Sequence, residues 1–200
     1  MKKFIFTSLL FLCMAFFAPA QDFSYSDTWG KAGFTMKSSD AQSMDIIFSV
    51  PSFSIHECTI NGMGMKNVLL PGTFLFNDAG NPDLPVKSTA IAIPQGANVS
   101  LEIVSQRTEH FDNIDVAPAP VIPTDADDNP LKYEKNMSIY SHNAFFPASP
   151  VILNKVSKVR GVDVAMLSIT PFQYNPVTKE LVVYKDLKLK VHFNGGNSQF

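Results

Sequence analysis

An antiparallel, all-β fold of the sandwich or jelly-roll type is what this sequence predicts, on three observations. Apolar and polar residues alternate with period two, most clearly where Leu187, Leu189, Val191 and Phe193 oppose Lys188, Lys190 and His192. Turn residues punctuate the apolar runs at short spacing: Asn61-Gly62, Gln95-Gly96 and Asn175-Pro176-Val177-Thr178. No window sustains a 3.6-residue repeat long enough for a substantial helix. Two-faced strands with frequent turns bury one face each against a second sheet.

In chain order, residues 1–20 read as a cleaved signal peptide. Lys2-Lys3 is its basic start, Phe4 to Phe17 its apolar run, and Ala18-Pro19-Ala20 a small-residue cleavage site before Gln21. The expectation is an exported protein that is periplasmic, on the cell surface or extracellular. Residues 21–45 are polar and rich in small residues, an N-terminal arm or an irregular first strand anchored by Trp29 and Phe34. The β domain is expected over 46–194, with strands at Ile46–Val50, Ser52–Ile60, Met63–Leu70, Leu84–Ile93, Val99–Ser105 and Phe111–Val116. Further strands follow in Arg160–Phe172, Leu181–Tyr184 and Leu187–Phe193. The lysines of the last strand read as protection for a sheet edge. Residues 117–150 form a proline-rich excursion, because six prolines in that stretch cannot donate to a ladder. A short helix fits best within Asp127–Ser141, and residues 195–200 read as the start of a linker.

Composition bounds the function. The 200 residues are 46% hydrophobic, enough for one core. Removing residues 1–20 takes away Lys2 and Lys3 and no acid, so the formal charge moves from −2 to −4. An acidic chain makes no case for nucleic-acid binding. Cys58 is the one cysteine beyond residue 20, so no disulfide within the chain is expected.

Candidate chemistry is sparse. Cys58 with His56 two positions earlier is the one thiol–imidazole pair, but no surrounding signature marks a nucleophile, and a structural cysteine is the better reading. Asp125, Asp127 and Asn129 have the alternate spacing of a calcium loop. Pro130 stands where that loop needs glycine, and Asn136 replaces its bidentate glutamate. Calcium is therefore a weak expectation, and no cofactor is otherwise implied. With no phosphate-cradling glycine loop, no Ser/His/Asp order and no paired carboxylates, the chain does not read as an enzyme.

Two sets of residues carry a resemblance. The first is Pro71-Gly72, Gly80-x-Pro82-x-Leu84-Pro85-Val86 and Ile91-Ala-Ile-Pro94. The second is Phe146-Pro147, Arg160-Gly161, Ile169-x-Pro171-x-x-Tyr174-Asn175-Pro176, Thr178, Glu180-Leu181 and Val183-Tyr184. Together they resemble the N-terminal propeptide of the gingipain family, the C25 cysteine peptidases. The resemblance implies a β-sandwich prodomain that covers the active-site cleft of a cognate peptidase, in cis or in trans, keeps it latent and assists its folding. It also implies a loop that presents a basic side chain to the specificity pocket. Lys132 and Lys135, the basic residues of 117–150, are the candidates, with Arg107 as an outside choice. A catalytic domain is not within these residues, which reads as the front of a longer precursor or a free-standing relative. The competing reading is a surface adhesion or structural module that shares the fold.

Overall fold

The computed structural model describes residues 20–75, 78–123, 130–197 and 199, with Phe74 and Leu75 as backbone. Among the described residues thirteen strands and one short helix follow one another. They are β1 (Ala20–Ser24), β2 (Gly33–Ser39), β3 (Ser43–Ser49), β4 (Ser52–Ile60), β5 (Met63–Leu69), β6 (Phe74–Leu75), β7 (Pro85–Ile93) and β8 (Asn98–Phe111). After helix α1 (Met137–Tyr140) come β9 (Val151–Leu153), β10 (Ser157–Val159), β11 (Val162–Ile169), β12 (Phe172–Asn175) and β13 (Glu180–Asn194). All pairings between these strands are antiparallel.

The strands form three sheets. One has the order β1-β4-β5; a second has β10-β11-β7-β6 with β9 also on β11; the third has β12-β13-β3-β2 with β8 also on β13. Inner-face residues of all three meet in one core that includes Phe48, Phe53, Val68, Ile93, Leu167, Phe172, Leu187 and Leu189. Phe53 organises its middle, stacked on Phe23 at 4.6 Å and edge-on to Phe172 at 5.5 Å and Phe111 at 5.9 Å.

Local chemistry explains the connections. Asn61 (φ 50°) and Gly62 (φ 77°) both adopt left-handed conformations, which fits the two-residue hairpin between β4 and β5. Arg160 (φ 50°) and Gly161 (φ 89°) do the same between β10 and β11. The Asn175 carboxamide oxygen accepts from Val177 N–H at 3.1 Å, turning the chain from β12 into β13. Pro171 has no N–H, and between β11 and β12 the chain leaves the second sheet for the third.

Several expectations change. Of the two readings of residues 21–45 the strand holds rather than the arm: the stretch carries most of β1, all of β2 and the start of β3. Ala20 and Gln21, the expected cleavage site, open β1 opposite His56 and Ile55; residues 1–19 lie outside the described residues. Phe111–Val116 is not a strand: β8 ends at Phe111, and Asn113 turns with φ 60°. The last strand is not an edge. β13 lies between β3 and β8, and its lysines project from the outer face of a central strand. Residues beyond it are tied back, with Gln95 N–H on Gln199 O at 2.7 Å and Asn197 N–H on Gln95 O at 3.0 Å.

Candidate functional site

The proline-rich stretch is pinned to the sandwich along most of its described length. Asp83 N–H donates to Ala117 O at 2.9 Å, Ala119 N–H to Asn81 O at 2.8 Å and Gly80 N–H to Ala119 O at 2.9 Å. Val121 and Lys132 then pair, with Val121 N–H on Lys132 O at 2.8 Å. The return path is fixed by Asn136 N–H on Gly80 O at 2.8 Å, by α1, and by the Phe146–Tyr174 pair. The excursion therefore narrows to the interval between Val121 and Lys132. Its middle, 124–129, lies outside the described residues and takes the calcium candidates Asp125, Asp127 and Asn129 with it.

Three residues, Gly80, Asn81 and Asn136, build the root of that interval. Gly80 has φ 85°, and a Cβ there would stand 2.8 Å from Glu134 O, so glycine alone lets the two segments approach. Asn136 Nδ2 donates to Asn81 Oδ1 at 2.9 Å, while Asn136 Oδ1 caps α1 by accepting from Ser138 N–H at 3.1 Å. Tyr140 is buried beneath, and its hydroxyl donates to Val116 O at 3.0 Å. Asp83 is buried in the same region and its Oδ1 has no hydrogen-bond partner among the described residues. Burial pushes its carboxyl up to about 6.

The three basic candidates fare differently. Lys132 is exposed at the mouth of the interval, and its ammonium has no partner among the described residues. Lys135 is turned inward: its Nζ is 3.6 Å from Asp115 and 4.8 Å from the centre of the Tyr140 ring. Arg107 is held in β8. Its Nε donates to Asp186 Oδ2 at 2.9 Å, its Nη1 to Asp27 Oδ2 at 2.7 Å, and its guanidinium lies over Trp29 at 5.1 Å. Asp186 is completely buried and also accepts from Trp29 N–H at 2.8 Å and Ser49 Oγ at 2.6 Å. This cluster staples residues 27–30 to the third sheet, so Arg107 is engaged within the domain.

Cys58 packs with Ile60, Met65, Ala117 and Tyr133, where desolvation raises its thiol above the usual range and disfavours the thiolate. Beside the root, an apolar groove of about 530 Å³ is lined by Pro82, Leu84, Val86, Phe146, Ile152 and Met166 among others. Sequence reasoning missed Gly80, Asn81 and Asn136 as a unit. The signal for one of them was present, since Asn136 two residues before Ser138 is an N-cap pattern.

The Propeptide_C25 family model matches residues 27–199. The chain belongs to the C25 propeptide family. Gingipain R1 of Porphyromonas gingivalis is 31% identical over 134 residues, covering 66% of this propeptide chain and 13% of the relative. Lys-gingipain HG66 of the same organism is 24% identical over 169 residues, covering 82% and 10%. The propeptide thus spans a small part of either relative. Its fold is shared with two solved structures. One, described as the complex of Porphyromonas gingivalis RgpB pro- and mature domains, superposes with a TM-score of 0.74 at 20% identity, over 84% of this chain and 89% of that one. The other, described as bearing on zymogenic latency of gingipain K from Porphyromonas gingivalis, gives 0.72 at 21%, over 89% and 100%.

Proposed function

We propose that this domain is the exported propeptide of a gingipain-type C25 cysteine peptidase, and that it holds the peptidase latent by covering its active-site cleft and assists its folding. In this reading the first twenty residues direct export and are removed between Ala20 and Gln21. The partner is the catalytic domain, in cis or in trans, and the 121–132 interval is the part that enters the cleft. The observation that carries the reading is the construction of the root. Gly80, Asn81 and Asn136 clamp both ends of the interval to the sandwich. A finger clamped at its base loses less conformational freedom on docking than a free loop.

Lys132 is the residue assigned to the specificity pocket, because its ammonium is exposed at the mouth of the interval while Lys135 and Arg107 are engaged within the domain. A lysine paired with a buried acid gives specificity beyond shape, and losing it costs about 2–5 kcal/mol. The test is inhibition of mature gingipain R1 and Lys-gingipain by the purified domain. Wild type should inhibit saturably, and Lys132→Ala should raise the inhibition constant at least about thirtyfold. An unchanged constant removes Lys132 from the role, and no inhibition by wild type removes the function.

A further inference from the structure

Among the described residues, the Asp83 carboxylate is both out of water and short of a partner. The residue is 8% exposed, and its Oδ1 accepts no hydrogen bond from them. A carboxylate so placed loses its hydration and gains nothing in exchange, so the neutral acid is favoured. Its position in the chain gives that proton leverage. The Asp83 backbone N–H holds Ala117 O at 2.9 Å, immediately before β7. Beside this bond, Gly80 N–H and Asn81 O both pair with Ala119, and Gly80 O takes the Asn136 N–H. Water reaches an ionised Asp83 when these segments part, so hydrating the charge and opening the root are coupled.

The groups around Asp83 do not offset its charge. Burial raises the phenols of Tyr140 in α1 and Tyr174 in β12, Tyr174 to about 12, so both keep their protons at neutral pH. Tyr140, which also feels the Asp83 charge, packs edge-on to Tyr174 with ring centres 6.5 Å apart. Asp115, beyond the end of β8, acts on both tyrosines and is ion-paired with Lys179 at 3.0 Å and Lys135 at 3.6 Å. Those two lysines are thereby engaged. Asp78 accepts from Asn81 Nδ2, and Glu134, behind Gly80, is exposed to water.

We propose that Asp83 is a proton-operated catch on the excursion: protonated, it holds the root shut; ionised, it drives residues 80–83 and 117–119 apart. The proposal rests on the reading of the chain as a cleft-covering propeptide, and it regulates that same grip. The carboxyl titrates at about 6 in the shut root and at the ordinary 3.8 once opened to water. The root is therefore firmest below 3.8, loosens as pH rises to about 6 and changes little above it. Between pH 5 and pH 8 the ratio of open to shut root rises about tenfold. Release of a bound propeptide through the open root speeds up by the same factor.

The experiment follows amide hydrogen exchange of the purified chain in peptides covering residues 80–83 and 117–121, at pH 5 and pH 8. Wild type is compared with Asp83→Asn at the same pH, which cancels the intrinsic effect of pH on exchange. The wild-type rate relative to Asp83→Asn should be about tenfold higher at pH 8 than at pH 5. Asp83→Ser should match Asp83→Asn and carries the test if the amide variant fails to fold. Asp115→Asn should keep the wild-type response. A ratio unchanged by pH overturns the catch, and loss of the response in Asp115→Asn moves it to Asp115 and overturns the assignment. Dissociation from immobilised mature gingipain R1 and Lys-gingipain should follow the same ratio. Exchange that responds while dissociation does not overturns the regulatory role. Wild type that binds neither peptidase overturns the proposed function, with exchange still deciding the catch.

Discussion

Replacing Arg107 by alanine tests whether the Asp186 cluster holds the domain together. Asp186 is wholly buried and keeps four contacts: Arg107 Nε and Nη2, Trp29 N–H and Ser49 Oγ. The substitution leaves that carboxylate with two neutral donors. Removing one partner of a buried pair costs about 3–5 kcal/mol, because the remaining charge is stranded away from water. The Arg107 side chain is 28% exposed, so water can enter the space it vacates, and the lower end of that range applies, about 3 kcal/mol. Losing the guanidinium over Trp29 adds about 0.5–1 kcal/mol. The contact with Asp27 lies in solvent and adds nothing to the sum. With a urea slope of about 2 kcal/mol/M, the midpoint should fall by roughly 1.5–2 M. Adding Asp186→Asn to Arg107→Ala removes the stranded charge and should recover part of the loss. A midpoint that moves by less than about 0.5 M, or a double variant no better than the single, refutes the argument that Arg107 is committed to the fold.

Two further predictions concern the root of the excursion. Asp83 titrates at about 6 in the folded chain against an ordinary 3.8, so the folded state binds the proton more tightly than the unfolded one. Its contribution to stability is then fullest below 3.8 and lost as pH rises through about 6. Asp83→Asn should therefore raise the urea-derived stability by about 2–3 kcal/mol at pH 7.5 and by little at pH 3.5, and an equal effect at both would discard the buried-carboxyl account. Gly80→Ala combines a left-handed backbone with a Cβ 2.8 Å from Glu134 O. It should cost more than about 2 kcal/mol in thermal or chemical melting, and a neutral result would mean that the root relaxes freely.

Much of the fold was legible because it is local. Alternation placed β4, β5 and β7 within a residue or two, while Leu181–Tyr184 and Leu187–Phe193, read as two strands, are one continuous strand, β13; Asn61-Gly62 named its own hairpin, since two consecutive left-handed residues are conformations that Asn and Gly tolerate. The family resemblance likewise rode on turn and proline positions that survive in linear order. The polar stretch of residues 21–45 left an arm and an irregular strand both open, because its strands are stabilised by neighbouring strands, β1 by β4 and β2 by β3, rather than by an apolar pattern of their own. The lysines of β13 misled for a related reason: an exposed charged face looks the same on an edge strand and on a central strand with one face in water.

The sequence by itself determined that this is an antiparallel β domain of the C25 propeptide family. Tertiary structure decided which basic residues are still available. Arg107 is matched to Asp186 across 79 positions and Trp29 to Asp186 across 157, and no pattern of period two can specify such pairings. Three cations that are chemically alike in sequence thus separate into one held over a buried carboxylate, one laid against a tyrosine, and one left in water at the mouth of the excursion. The physical reason is that a charge is claimed by whatever acid the folded chain brings within reach, and reach is a property of the packed sheets alone.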